Sequence, residues 1–197
     1  MATRTQLNTI PLRKITDFKS KLSGGGTRSN LFEVELAFPA AINVDSNTLD
    51  KTRFLIKTAA LPASTVGLVE VGFRGRSLKL AGDRSFDTWT ITVLNDTDFA
   101  IRSAFEKWSN YMNRLSDNTG TTDSSLYQAD ATVYQLNRDG SVLRAYRFYD
   151  LFPTNISAIQ LSYDGGDAVQ EFTVEMQVHW WEAIKGTSNS SGGENIN

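Results

Sequence analysis

Apolar and polar residues alternate in several short runs along the chain, which is the pattern of strands in a half-buried sheet. In the clearest run, 86–93, Trp89, Ile91 and Val93 share one face and threonines occupy the other. Such a strand belongs to a sheet that packs on one side and meets water on the other. Comparable runs predict strands at 30–38, 53–58, 127–136, 142–149, 156–163 and 172–180.

Residues typical of turns separate these runs. The sequence NRDG at 137–140 predicts a hairpin, because Asp-Gly favours the backbone conformations of a tight turn. The segment 42–50 is rich in Asn, Asp and Ser and predicts a loop, and 150–155 (DLFPTN) predicts a corner. We therefore expect consecutive antiparallel strands.

Glycines punctuate the stretch 58–96. Leu61-Pro62 fixes an extended turn, because proline locks φ and keeps the preceding residue out of helical space. Residues 81–84 (AGDR) predict a second turn, which leads into the strand at 86–93. The stretch predicts a long hairpin interrupted by glycines, which are Gly67, Gly72, Gly75 and Gly82.

One segment has a helical period instead. After Asp96, apolar residues recur at steps of three and four, which predicts a helix near 97–115 with one apolar stripe. Asp96 or Thr97 is the predicted N-cap, and Asp98 suits the helix dipole in the first turn. The stripe, which we expect to pack on the core, consists of Ile101, Ala104, Phe105, Trp108, Tyr111, Met112 and Leu115.

The composition supports one domain with a substantial core, since 40% of the 197 residues are hydrophobic. The lack of cysteine excludes disulfides and thiol chemistry, and fits a reducing cytoplasm or a virion assembled in one. No run is long and apolar enough for a membrane span. The predicted fold is mostly antiparallel β: a small barrel or a tight two-sheet sandwich with one helix on its flank.

The net charge of −2 conceals an uneven distribution. Residues 1–29 carry six basic side chains and one acid, so the remainder of the chain is acidic. The basic residues are spread out and lack interleaved aromatics, which favours a flexible arm docking on a neighbouring subunit over a DNA-binding segment. We expect a β domain at 30–185 and a disordered tail, rich in Ser, Asn and Gly, at 186–197.

No arrangement of residues in the sequence indicates an enzyme active site. His179 is the sole histidine and lacks a serine–acid context. Asp83 and Asp87 flank Arg84. A turn and a local salt bridge explain this arrangement better than a catalytic pair of acids does. Asp96 and Asp98 could be metal ligands, but helix capping explains them better. We predict no catalytic residue, no cofactor and no metal site.

A series of short motifs resembles the tail tube protein of contractile-tailed bacteriophages. Each motif alone is ordinary turn chemistry, but together and in order they match that family over roughly residues 30–182. The motifs are ALPA (60–63), VGF (71–73), AGDRSFDTWT (81–90), VLND (93–96), FPTN (152–155) and WE (181–182).

The resemblance implies a structural virion protein. Such proteins form six-membered rings that stack into a hollow tube inside a contractile sheath, together with baseplate and tape-measure proteins. The lumen passes double-stranded DNA without specific binding. The implied location is the phage tail, assembled in the host bacterial cytoplasm without membrane contact. Alternatives are a secreted tube component of a type VI secretion-like system, a tube-initiating or terminating paralogue, and a monomeric ligand-binding β-barrel.

Two sets of residues are predicted to serve assembly. The apolar residues of the glycine-interrupted hairpin are predicted to contact adjacent subunits; they are Pro62, Val66, Leu68, Val69, Val71 and Phe73. A conduit for DNA should repel phosphate weakly, so acidic side chains are predicted to line the lumen and the basic arm to lie elsewhere. The candidate lumen-facing acids are Glu33, Glu35, Glu171 and Glu175.

Overall fold

Antiparallel strands dominate the structure, a computed structural model that describes residues 13–22, 24–164 and 166–185. Its strands are β1 (Phe32–Leu36), β2 (Ile56–Ala59), β3 (Ser64–Phe73), β4 (Arg76–Phe86), β5 (Trp89–Leu94), β6 (Ala129–Leu136), β7 (Val142–Ile156), β8 (Glu171–Gln177) and β9 (Trp180–Lys185). Its helices are α1 (Ile15–Lys21), α2 (Ser46–Leu55), α3 (Ala100–Met112) and α4 (Ser124–Tyr127), with a short 3-10 helix at Ala40–Ile42. The prediction of a mostly β protein is confirmed.

The strand β7 joins the two halves of a seven-stranded sheet ordered β1-β6-β7-β8-β5-β2, with β9 also paired to β7. Its first half pairs with β6 and β9, and from Phe152 onward it pairs with β8. Between these halves Asp150 has a φ of 55°, so the strand bends without ending. The corner predicted at 150–155 is therefore a bend within one strand.

The bend brings the two halves together as a sandwich. Trp89 of β5 stacks on Phe148 of β7, with ring centroids 4.7 Å apart. Within the described chain β1 and β2 do not pair with each other, so the sheet is not closed into a barrel. Of the two architectures predicted, the two-sheet sandwich is the one that forms.

The core lies between these halves and follows the predicted alternation. On β5 and β8 the inward residues Trp89, Ile91, Val174 and Met176 are fully buried. Their neighbours along each strand are more exposed, as the threonine face predicted. Other buried core residues are Val34, Leu36, Val93, Ala131, Val133, Phe148, Leu151 and Phe172.

The helix α3 packs its apolar stripe on the core, as predicted. Trp108 is fully buried, and its indole N–H donates to the carbonyl of Tyr127 at 2.7 Å. Phe38 packs edge-on against Phe105 and Trp108. The helix is shorter than 97–115, and Leu115 lies past its end with 97% of its surface exposed. Leu115 is thus wrongly included in the stripe.

The start of α3 also differs from the prediction. Its N-cap is Phe99, in the left-handed conformation with a φ of 53°, rather than Asp96 or Thr97. Asp98 accepts a hydrogen bond from the first backbone N–H of the helix at 3.1 Å. Asp96 and Asp98 each lie 2.5 Å from the ammonium of Lys51 on α2. The hydrogen bond from Lys51 lowers the pKa of Asp96 below its ordinary value. The contacts of Lys51 with both aspartates link α2 to the start of α3.

The helix α2 replaces the loop predicted at 42–50 and the beginning of the strand predicted at 53–58. Its N-cap is Asp45, whose carboxylate accepts from the backbone N–H of Thr48 at 3.2 Å. The side chains that it buries are Thr48 and Thr52, which are 6% and 1% exposed. No apolar stripe marks this helix, and both predictions were wrong for that reason.

Two predictions near the C-terminal end need correction. The strand predicted at 156–163 does not form, because β7 ends at Ile156 and the described residues of 157–170 are a loop. The strand predicted at 172–180 divides into β8 and β9, and Trp180 is 38% exposed rather than buried.

The hairpin predicted at 137–140 is confirmed. Gly140 has a φ of 81° and its N–H donates to the carbonyl of Asn137 at 3.0 Å. The arm predicted at 1–29 contains the helix α1, and its flexibility stays a prediction. Residues 1–12 and the tail predicted at 186–197 lie outside the described residues.

Candidate assembly surface

The strands β3 and β4 form a separate two-stranded hairpin that pairs with no other strand of the described chain. Every residue of β3 is exposed, and in β4 only Gly82 and Phe86 are partly covered. A two-stranded hairpin alone is at best marginally stable in water. A hairpin of this length therefore needs another surface to pack against.

The turn of this hairpin lies at Arg74-Gly75. Both residues have positive φ, 46° and 84°, which is what a two-residue type I′ turn requires. The turn predicted at 81–84 is wrong, because β4 runs through these residues to Phe86. Gly82 of that motif does not form a turn but allows a close approach of the two strands.

Gly82 lies where the two strands approach closely at an irregularity in their pairing. A Cβ atom on Gly82 would be 3.2 Å from the backbone of Gly67 on β3, and a Cβ atom on Gly67 would be 3.2 Å from the carbonyl oxygen of Asp83. The register shifts between Val66 and Leu68 at the same place. The glycines of the stretch therefore permit a bulge in a continuous hairpin rather than a second turn.

The hairpin has one apolar face. Val69 pairs with Leu80 and Val71 pairs with Leu78 across the ladder, so these four side chains share a face with Phe73 near the turn. Their exposed fractions range from 46% for Leu80 to 69% for Phe73. The opposite face carries Leu68, which pairs with Ala81, and the ion pair Glu70–Lys79. Exposed and contiguous apolar faces of this kind are typical of interaction surfaces.

Five of the six residues predicted to contact neighbouring subunits lie exposed on this hairpin, whereas Pro62 precedes β3 and is buried within the protomer. The five are Val66, Leu68, Val69, Val71 and Phe73. Sequence reasoning missed the matching residues on β4, Leu78 and Leu80. The alternation from Arg76 to Leu80 was the signal that could have found them.

The base of the hairpin adjoins the end of the sandwich at which β5 begins. The backbone N–H of Asp87 donates to the carbonyl of Ala63 at 3.1 Å and closes the base. The ring of Phe86 packs edge-on against Trp181 of β9, with centroids 6.2 Å apart. These contacts fix the place where the hairpin leaves the sandwich.

The predicted acids on β1 lie on its outward face and are paired with one cation. The guanidinium of Arg53 on α2 is 2.5 Å from a carboxylate oxygen of Glu35 and 3.9 Å from one of Glu33. These contacts raise the pKa of Arg53, with the hydrogen bond to Glu35 as the largest cause. The local charge of this face is thus partly compensated.

The predicted acids on β8 lie on the outward face of the other half of the sandwich. Glu171 is 2.7 Å from the ammonium of Lys57, whereas Glu175 forms no salt bridge among the residues that the structure describes. Thr92 and Thr173 pair on this same face. The structure therefore separates the four acids into two pairs on different outward faces.

Side chains that could ligate a metal do not cluster in the described residues. No group of three or more His, Cys, Asp or Glu side chains converges there. His179 is exposed, and its backbone N–H donates to the carbonyl of Tyr149. No described helix has the length and apolarity needed to cross a bilayer. An open cleft of about 780 Å³ adjoins α2 and β1, where Arg53 and Glu35 already pair with each other.

The fold and the exposed hairpin define a class of protein: a β-sandwich with a long hairpin that exposes an apolar face outside the core. The family model described as phage tail tube protein matches residues 27–183. The chain belongs to this phage tail tube protein family.

Individual relatives agree with this assignment. The tail tube protein gp19 of Enterobacteria phage T4 is 33% identical over 161 residues, which is 81% of this chain and 93% of the relative. The tail tube protein of Serratia phage KSP90 is 24% identical and covers 88% of this chain and 98% of its own length.

Solved structures share the fold at low sequence identity. A chain of the sheath–tube complex of an extracellular contractile injection system has a TM-score of 0.56 at 11% identity, covering 84% of this chain and 97% of its own. A chain of the tube-terminating cap of the anti-feeding prophage has a TM-score of 0.60 at 12% identity, covering 81% and 91%.

Proposed function

We propose that this protein is the structural subunit that polymerises into the inner tube of a contractile phage tail. The observation that carries the proposal is the exposed apolar face of the hairpin, which no part of the described protomer covers. Repetition of one contact between identical subunits would bury this face in every copy. Membership of the tail tube family supports the same role, and a structural rather than enzymatic one.

The assembly that we propose consists of hexameric rings stacked into a hollow tube. The sheath protein surrounds the tube, the baseplate lies at one end, and the lumen holds the tape-measure protein before DNA passes. The virion tail is then the location of the mature protein, after assembly in the host cytoplasm. A related chain occurs in a sheath–tube complex, which supports the sheath as a partner.

Negative-stain microscopy of the purified chain tests the proposal. We expect long tubes of constant diameter, because each ring offers the same surfaces to the next. A protein that yields only isolated rings would favour a tube-initiating or terminating role, or a secreted tube component. Single particles at high concentration would contradict self-assembly and favour a monomeric binding domain.

We further propose that the channel wall carries more acidic than basic side chains. Glu33, Glu35, Glu171 and Glu175 all remain candidates for this wall. Because the outward faces of the two halves point away from each other, one central channel can be lined by only one of the two pairs. Each pair of acids has one cation, since Lys57 contacts Glu171 and Arg53 contacts both Glu33 and Glu35. Glu175 forms no salt bridge among the described residues and lies beside the paired threonines of β5 and β8, so we favour the face of β8.

A reconstruction of the tube checks the channel wall. We expect Glu171 and Glu175 to face the lumen and the basic arm to lie at ring–ring contacts or outside. An acidic wall lets DNA pass because it offers phosphates no cationic contact, each of which would add salt-dependent binding. A lumen lined mainly by Lys and Arg, or by residues 4–28, would contradict this prediction.

A further inference from the structure

Two exposed features of opposite charge lie at opposite ends of the sandwich. The hairpin β3–β4 leaves where β5 begins, at Trp89. The loop between β7 and β8 lies where β5 stops, because Asn95 and Gln170 are joined by a backbone hydrogen bond of 2.8 Å. The six residues of β5 separate these ends by about 20 Å at ~3.3 Å per residue.

The tip of the hairpin is basic and aromatic. Arg74 lies in its turn and Arg76 follows it, and the guanidinium of Arg74 lies 5.2 Å from the ring centroid of Phe73. Neither arginine forms a salt bridge within the described chain, whereas Lys79 further along β4 is paired with Glu70. Cationic groups beside an exposed aromatic ring suit a partner that offers carboxylates next to apolar side chains.

The loop between β7 and β8 offers that combination. Leu161 is 84% exposed and Tyr163 is fully exposed, and both belong to a segment that includes the exposed carboxylates of Asp164 and Asp167. Neither aspartate forms a salt bridge within the described residues. We use the name acidic loop for these four residues.

The other long loop of this protein suits the hairpin tip less well. Its Asp117 and Asp123 already accept hydrogen bonds of 2.7 Å from the hydroxyls of Thr119 and Ser125 in their own turns. The basic side chain of Arg114 is nearby in the sequence and lowers the pKa of Asp117, after the larger effect of Thr119. Its carboxylates are therefore less available to a second copy.

We propose that the hairpin tip of one copy binds the acidic loop of a second copy displaced along the strands of β5 and β8. This inference rests on the proposed self-assembly and specifies one contact within it. The two surfaces differ, and the base of the hairpin and the acidic loop lie at opposite ends of β5, so each copy can bind one neighbour at each end. Such a head-to-tail contact does not close on itself and propagates along a tube.

Charge reversal tests this pairing. We expect Arg74→Glu/Arg76→Glu and Asp164→Lys/Asp167→Lys each to raise the concentration needed for tube formation about tenfold or more, because like charges then meet at every contact. The variant with all four substitutions should regain tubes. Sedimentation and negative-stain microscopy measure the result, and an unchanged melting temperature shows that each variant is folded. The matched control, Arg114→Glu/Arg138→Glu, reverses two other exposed arginines and should assemble normally.

Cross-linking gives a second test in otherwise native tubes, since the chain contains no cysteine. Arg76→Cys/Asp167→Cys should yield a ladder of covalently linked oligomers with a thiol-reactive bismaleimide, because the reagent spans the length of the arginine side chain, which a direct disulfide with its limit of about 7 Å between Cα atoms does not. Arg76→Cys/Asp139→Cys, with its second thiol in the β6–β7 turn, should remain monomeric on the same gel.

The outcomes separate this inference from the function on which it rests. Tubes of Arg76→Cys/Asp167→Cys that give no ladder, or reversed variants that assemble like the wild type, would overturn the pairing alone. Failure of the fourfold variant to recover tubes while it remains folded would overturn it as well. If the wild-type chain forms no tubes, the proposed function itself fails.

Discussion

Val71→Asp and Phe73→Asp are each expected to give a folded protein that forms no tubes. Both side chains lie on the apolar face of the hairpin and are 47% and 69% exposed, so the protomer itself does not depend on them. In a tube this face would be buried, and each site would lose roughly 1.5–3 kcal/mol of apolar burial. A carboxylate introduced there also has to be desolvated without a partner, which adds to the loss.

The measurement combines melting temperature with sedimentation and negative-stain microscopy. Ser77→Asp is the matched control, because it introduces the same carboxylate on the opposite face of the hairpin, where Ser77 pairs with Gly72. We expect this variant to assemble. If both variants of the apolar face polymerise normally, the hairpin is not the contact between subunits.

Trp89→Ala is expected to cost about 3–5 kcal/mol of the free energy of unfolding, as the loss of a buried aromatic side chain. Trp89 is fully buried on β5 and stacks on Phe148 across the sandwich, so its removal leaves a cavity between the two halves. Domains are stable by only about 5–15 kcal/mol, so most of this variant should be insoluble or unfolded.

Urea denaturation and the soluble fraction after expression measure this effect. Trp180→Ala is the matched control, since Trp180 is 38% exposed and stacks on Tyr149 at the surface. Its loss should cost about 0.5–1.5 kcal/mol, the usual value for an aromatic pair. A soluble Trp89→Ala protein with an unchanged melting temperature would show that Trp89 does not support the core.

Both predictions could be formed from the sequence, although the sequence showed the core position of Trp89 more completely than the apolar face of the hairpin. The position of Trp89 in the core followed from alternation, which the structure confirms. The apolar face of the hairpin was only half visible, because the turn was placed at 81–84 instead of Arg74-Gly75. Once the turn is known, cross-strand pairing shows that Leu78 and Leu80 complete the face with Val69 and Val71.

The sequence by itself determined the features that depend on local periodicity and turn chemistry. The alternation around Trp89 specified a strand with one buried face, and the three- and four-residue steps around Trp108 specified α3. The Asp-Gly dipeptide at 139–140 specified a tight turn, in which Gly140 adopts a positive φ that glycine accepts without steric cost. These features need no knowledge of distant contacts.

Only the tertiary structure decided the features that depend on partners far along the chain. The helix α2 buries Thr48 and Thr52 rather than apolar residues, and its Lys51 pairs with Asp96 in the segment just before α3. Asp150 bends β7 instead of ending it, since the strand pairs with β6 and β9 before the bend and with β8 after it. A strand is continued or ended by its neighbours in the sheet, and local sequence does not contain them.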